Sequence, residues 1–119
     1  MELEQTSSVL AIGEKVHIVE RRKFETDLRR HFIGEVVYCS DHHIKASGFP
    51  YVYSPSSKIF EKVDPDRVRI FANDNHIAVT LLPPNFDLRN AVYKRIPYKF
   101  LLCDADGFEM ELDDFGTHG

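Results

Sequence analysis

Apolar and polar residues alternate with a period of two along most of this chain. That is the pattern of strands with one face buried and one face polar. Val16 and Ile18 flank His17. From His31 onward, Phe32, Gly34, Val36 and Tyr38 fall on one face, and Ile33, Glu35, Val37 and Cys39 on the other. The run Val36-Val37-Tyr38 is β-branched and aromatic, as pleated surfaces prefer. Gly34 inside it predicts a bulge or a sharp bend. Ser40-Asp41-His42 predicts a turn, and His43–Tyr53 the returning strand, with Ile44, Ala46 and Gly48 on one face. Pro50 within that strand predicts an edge or a bulge, because proline has no N–H for the ladder.

Lys58–Val63 alternates again after the loop Ser54-Pro55-Ser56-Ser57. Val68, Ile70 and Ala72 then alternate with Arg67, Arg69 and Phe71, and Ile77, Val79 and Leu81 with His76, Ala78 and Thr80. Asn73-Asp74-Asn75 between these two runs tolerates positive φ, so Arg67–Leu82 reads as a hairpin. After Pro83-Pro84, Asn85 is placed to cap at most one short helical turn near 85–91. Val92–Ile96 is a weak strand and Tyr98–Cys103 a stronger one. The loop Asp104-Ala105-Asp106-Gly107 then leads into the alternation of Phe108, Met110 and Leu112.

Arg21–Phe32 supports two readings. Phe24, Leu28 and Phe32 recur every four residues, as on one face of a helix. Alternatively the chain turns at Glu25-Thr26-Asp27 and 23–32 belongs to a hairpin. The strands on either side favour the hairpin.

Eight or nine short strands separated by turn signals predict an all-β, mainly antiparallel domain, a small barrel or sandwich. The bent second strand and the hairpin order resemble SH3-like and Sm-like barrels, a resemblance of fold that carries no function by itself. Residues 13–115 are expected to form this single domain, with flexible tails at 1–12 and 116–119.

Composition narrows the function classes. The 119 residues are 43% apolar and 29% charged, ordinary usage for a globular chain and unlike disorder. No apolar run approaches the ~20 residues of a membrane-spanning helix. Met1–Glu14 holds three Glu and no Lys or Arg, which is unlike a secretory signal. A cytoplasmic location without membrane partners is expected. Two cysteines, Cys39 and Cys103, are too few for a disulfide scaffold and read as reduced, buried thiols.

The net charge is −4, against a general nucleic-acid binder. Its distribution is uneven. Asp104–Asp114 contains six acids and no base, which leaves the rest of the chain at +2. Arg21, Arg22, Lys23, Arg29 and Arg30 make a basic segment over 21–31 that is able to neutralise phosphates. Phe49, Tyr51 and Tyr53 share one strand face and are candidates to stack bases beside it. The competing reading pairs that segment with the acidic C-terminal strand. Arg67, Arg69 and Phe71, with His76, Ala78 and Thr80 across the expected hairpin, form a second candidate patch.

Asp41-His42-His43 resembles the signature of DHH-type phosphoesterases, over three residues. Those enzymes are larger α/β proteins with further Asp-rich motifs that this chain lacks. His42 and His43, with His31 or Cys39, are weak candidates for a zinc site, since imidazole and thiolate suit that ion. No hydrolase, P-loop or zinc-protease motif is present, so no catalytic residue is nominated and no cofactor is expected. Two function classes remain. The first is a non-enzymatic interaction or assembly module with a protein partner or a second copy of itself, suggested by nine Phe and five Tyr, since interfaces are enriched in aromatics. The second is a single-stranded RNA-binding module using 21–31.

Overall fold

A computed structural model describes residues 10–112 apart from Glu25, Asp64, Asn75 and Tyr98. Among these residues the chain forms nine strands and no helix. They are β1 (Lys15–Glu20), β2 (Arg30–Cys39), β3 (His43–Ser54), β4 (Ile59–Lys62), β5 (Arg67–Ala72), β6 (Ile77–Leu81), β7 (Val92–Ile96), β8 (Lys99–Cys103) and β9 (Glu109–Leu112). All pairings are antiparallel. The all-β architecture expected from alternation is therefore present. No helix among the described residues is long and apolar enough to cross a membrane.

The larger sheet runs β4-β3-β2-β1-β6, with β5 also paired to β3. β3 is long enough to serve two neighbours along one edge. Its first half, His43–Gly48, pairs with β5, and its second half, Tyr51–Ser54, with β4. Pro50 lies at the hand-over. Tyr53 donates its N–H to Arg29 across the β2 side, and the Pro50 carbonyl accepts from Val63 on the other. Alternation along the strand thus turns the Pro50 nitrogen toward the gap between β5 and β4, where no ladder bond is missed. The proline expected at an edge or bulge sits instead in mid-strand.

The bulge lies one strand away. The β2–β3 register shifts between Val36 and Tyr38. The extra residue reverses the alternation over the rest of β2, so Tyr38 is turned outward and Cys39 packs inward. This corrects the expectation from period-two counting, which placed Tyr38 with Val36. Gly34 is not the bulge. It pairs with Gly48 where β2 and β3 approach closely enough that a Cβ on either would strike the other strand's backbone.

The hairpin expected over Arg67–Leu82 is also corrected. Both strands form, but β5 pairs with β3 and β6 with β1. They are the two ends of a curled sheet that is not closed. Inside the curl lie Val16, Ile18, Phe32, Val36, Ile44, Ala46 and Phe71, with Leu10, Ile77 and Val79 against them. Glu20 on β1 and Arg69 on β5 pair at 3.2 Å across the opening. Leu10 lies in the stretch expected to be a flexible tail, yet it is half-buried. Residues 1–9 and 113–119 fall outside the described residues, and with them the remaining tail assignments, Asp113 and Asp114.

A second sheet, β7-β8-β9, covers the opposite face of the first. Ile33, Phe49, Tyr51 and Phe60 from the first sheet pack against Tyr93, Phe100, Leu102 and Leu112 from the second. Phe86 and Leu82 in the connecting segment join them. Each such side chain contributes about 1.5–3 kcal/mol by leaving water. The helical turn expected near 85–91 is replaced by turns, in which Asp87 rather than Asn85 holds the Asn90 N–H. Asp104 ties this segment down by accepting the N–H groups of Asp87, Asp106 and Phe108. Burial works to raise its pKa, but these three donors together with the Lys15 cation outweigh it and hold it below the usual carboxylate value. Gly107 in the same loop adopts φ +94°, the left-handed conformation that glycine accepts without strain.

Candidate functional site

β1 and β2 each place one imidazole on the face covered by the second sheet. His17 lies between Val16 and Ile18, and His31 between Arg30 and Phe32, so alternation sends both to the side opposite the curled core. Both are 1% exposed. β7 brings Tyr93 against them from the other layer. His17 Nε2 lies 3.1 Å from His31 Nδ1 and 3.0 Å from the Tyr93 hydroxyl, which is 2.7 Å from His31 Nδ1. Two proton arrangements serve all three atoms. Either Tyr93 donates to His31 and accepts from His17, or His31 donates to Tyr93, which donates to His17.

Burial lowers the His17 pKa from 6.5 to about 4. Burial, with Tyr51 adding to it, raises that of Tyr93 well above the ordinary phenol value. Both groups are therefore neutral at pH 7. The His31 ring stacks on Phe60 with centroids 4.1 Å apart. Tyr51 donates its hydroxyl to the Ala91 carbonyl at 3.0 Å in the same buried layer. Replacing Tyr51 by Phe is expected to cost about 1–2 kcal/mol, because the Ala91 carbonyl loses a buried donor. A urea midpoint equal to that of the unchanged protein would count against this.

Tyr51 and Tyr93 also line an open cleft of about 550 Å³ whose rim includes Lys62 and Arg89. Lys62 donates to the Arg89 carbonyl at 2.6 Å and sits 4.4 Å from the Phe49 ring centre, a cation–π contact.

The residues singled out from the sequence separate into different places. His42 and His43 are exposed in the β2–β3 turn, where the Ser40 hydroxyl accepts both their N–H groups. His31 lies at the opposite end of β2, in the core. No group of three or more His, Cys, Asp or Glu side chains able to hold a metal ion occurs among the described residues. Cys39 is half-buried, with its Sγ 3.7 Å from the Ser40 carbonyl, and Cys103 is buried.

Of the aromatic row, Phe49 and Tyr51 are buried and Tyr53 is half-buried beneath the Arg29 guanidinium. Tyr51 and Tyr53 pack against Tyr93 and Phe100 of the second sheet, and Phe49 lies beneath Lys62 and Arg89. Among the described residues the segment between β1 and β2 is a loop rather than a helix, and β1 and β2 pair antiparallel as the hairpin reading of 23–32 expects. Arg21, Lys23 and Arg30 are exposed, and Arg22 and Arg29 are half-buried. Glu111, on the acidic strand expected to face them, pairs instead with Lys99 on β8 at 2.9 Å. The second patch is only partly assembled. Phe71 is buried, Arg69 is held by Glu20, and Ala78 and Thr80 lie on β6 across the open seam, while His76 borders a hollow with Arg69 and Phe71.

An apolar surface that alternation alone does not reveal lies on the outer side of β3. In register across three strands stand Tyr38, Lys45 and Ile70, and beside them Glu35, Ser47 and Val68. Tyr38 is 55% exposed, Val68 53% and Ile70 64%. The bulge at Val37 is what brings Tyr38 to this side.

No protein-family model, curated protein or solved structure matches this chain.

Proposed function

We propose that this chain is a non-enzymatic assembly module on an SH3-like or Sm-like barrel, which associates with a second copy of itself through the outer side of β3 and β5. The strand order β6-β1-β2-β3-β5 supports the barrel reading, with β4 and the β7-β8-β9 sheet as additions to it. The observation that carries the function is the exposure of Tyr38, Val68 and Ile70 on one face of β2, β3 and β5, around Lys45 and Ser47. Exposed apolar side chains gathered on one sheet face mark interaction surfaces.

Charge favours a second copy as the occupant. Lys45 stands between Tyr38 and Ile70, and Glu35 lies one row away on the same face. A two-fold interface brings the same patch from both partners together, so a cation and an anion on one small face can each meet its opposite. The imidazoles of His17 and His31 face into the core, away from any substrate, which supports a non-enzymatic reading. A chain with two cysteines and no disulfide scaffold suits a reducing, cytoplasmic setting.

Light scattering on size-separated protein tests the proposal. The unchanged chain is expected to run as a dimer or larger species at high concentration, and Ile70→Lys as a monomer with unchanged circular dichroism. A monomeric unchanged chain at high concentration overturns the reading.

A further inference from the structure

The loop from Arg21 to Arg29 lies at the open end of the curled sheet. Its start is fixed there, because the Arg21 N–H bonds to the His76 carbonyl in the β5–β6 turn at 2.8 Å. Two adjoining hollows of about 240 Å³ each flank it, and both are bordered by Glu20, Arg21 and Lys23. Arg69 borders one, and Arg22 and Arg30 the other. Five cations thus face three acids, Glu20, Asp27 and Asp74, a local balance of +2 on a chain of net charge −4.

The acids are already engaged in part. Glu20 holds Arg69, and an Asp27 carboxylate oxygen accepts the N–H groups of Lys23 and Phe24. The exposed Arg21, Lys23 and Arg30 side chains form no ion pair among the described residues. The same Asp27 contacts shape the turn that carries Phe24, which follows Lys23 directly and is 67% exposed.

We propose that this loop and the two hollows bind single-stranded nucleic acid, with Arg21, Lys23 and Arg30 on phosphates and Phe24 stacked on a base. An unpaired base offers a π face to an aromatic ring, whereas a duplex hides its bases in the stack. Phosphates along a flexible strand enter hollows one at a time, which a flat bilayer surface cannot do. Ile70 borders one hollow as well as the self-association face, but Arg21, Lys23, Phe24 and Arg30 lie outside that face, so variants at these positions test binding apart from self-association.

The test is fluorescence anisotropy of a labelled oligouridine of about 12 nucleotides, within the usual site sizes for such binders. Three phosphate contacts predict a slope near −2 for log affinity against log salt, so binding should weaken roughly 15-fold between about 50 mM and about 200 mM salt. Phe24→Ala should weaken binding roughly 5- to 150-fold and leave the salt slope unchanged. Lys23→Ala should flatten that slope by about 0.7. Both side chains are exposed, so circular dichroism should not change. No anisotropy change at low salt overturns the proposal. So does full affinity in Phe24→Ala, and so does sedimentation with phosphatidylserine vesicles in the absence of oligonucleotide binding.

Discussion

Gly48→Ala is expected to destabilise this protein by about 3 kcal/mol, the upper range for forcing a methyl group into a filled space. Melting should fall by on the order of 10 °C. A Cβ at Gly48 would press on the Ile33 carbonyl oxygen and lie 2.5 Å from the Gly34 Cα. Both obstacles are backbone of the neighbouring central strand, so no side-chain rotation relieves them. β2 would have to move away from β3, and Ile33 is fully buried among residues of both sheets. Gly13→Ala supplies the contrast. Its φ of +95° disfavours alanine, but a Cβ there meets nothing within 4 Å, so its cost is about 1 kcal/mol of conformational strain. Thermal melts of both variants distinguish the two causes. A Gly48→Ala protein no less stable than Gly13→Ala would show that the strands are not in such close approach.

Alternation and turn residues located the strands and the pairings of β1 with β2, β2 with β3 and β8 with β9, but not those of β5 and β6. Ile77, Val79 and Leu81 read correctly as one face of a strand, and so did Val68, Ile70 and Ala72 on theirs. Joining the two as a hairpin failed because the turn residues at 73–76 are equally compatible with a crossing from one sheet end to the other. Strand pairing is decided by which faces bury which cores, information distributed over Phe71, Ile44 and Ile18 rather than held in the turn. The loop Asp104–Gly107 was legible for the opposite reason. Its glycine needs a left-handed conformation and its aspartate supplies local acceptors, so short-range chemistry suffices.

The candidate sites were less legible than the fold. His17 and Tyr51 sit on strand faces that alternation marks as distinct from the Val16–Ile18 side, and such faces ordinarily meet water. Here the β7-β8-β9 sheet covers them, so Phe49 and Tyr51 become core rather than platform. Tyr93 is distant in sequence from His17 and His31, and no local pattern joins them. Phe24 shows the converse. Its four-residue spacing with Leu28 and Phe32 suggested a buried helical face, but only Phe32 is buried. The bulge at Val37 likewise exchanged the sides of Tyr38 and Cys39, a local insertion that period-two counting cannot register.

Acid should weaken the join between the two sheets in a defined window, and His17 is the reason. Its folded pKa of about 4 lies below the ordinary 6.5, so the unfolded chain binds the proton more readily between these values. The stabilisation is complete above about pH 6.5, declines as pH falls toward about 4, and stays lost below it. The difference of 6.5 from about 4, at about 1.4 kcal/mol per tenfold change, amounts to about 3 kcal/mol. Solvent screening does not reduce this much, because the ring is 1% exposed. The groups facing it are His31 and Tyr93, with Thr80 beside it in register on β6. None of these supplies a negative charge at neutral pH to offset a buried imidazolium. Urea midpoints measured from about pH 7.5 to about pH 4.5, for the unchanged protein and His17→Gln, isolate this contribution. The glutamine keeps a donor and an acceptor but does not titrate, so carboxylate effects common to both proteins cancel in the difference. The unchanged protein should lose stability relative to the variant as pH falls, and parallel curves would sink the assignment.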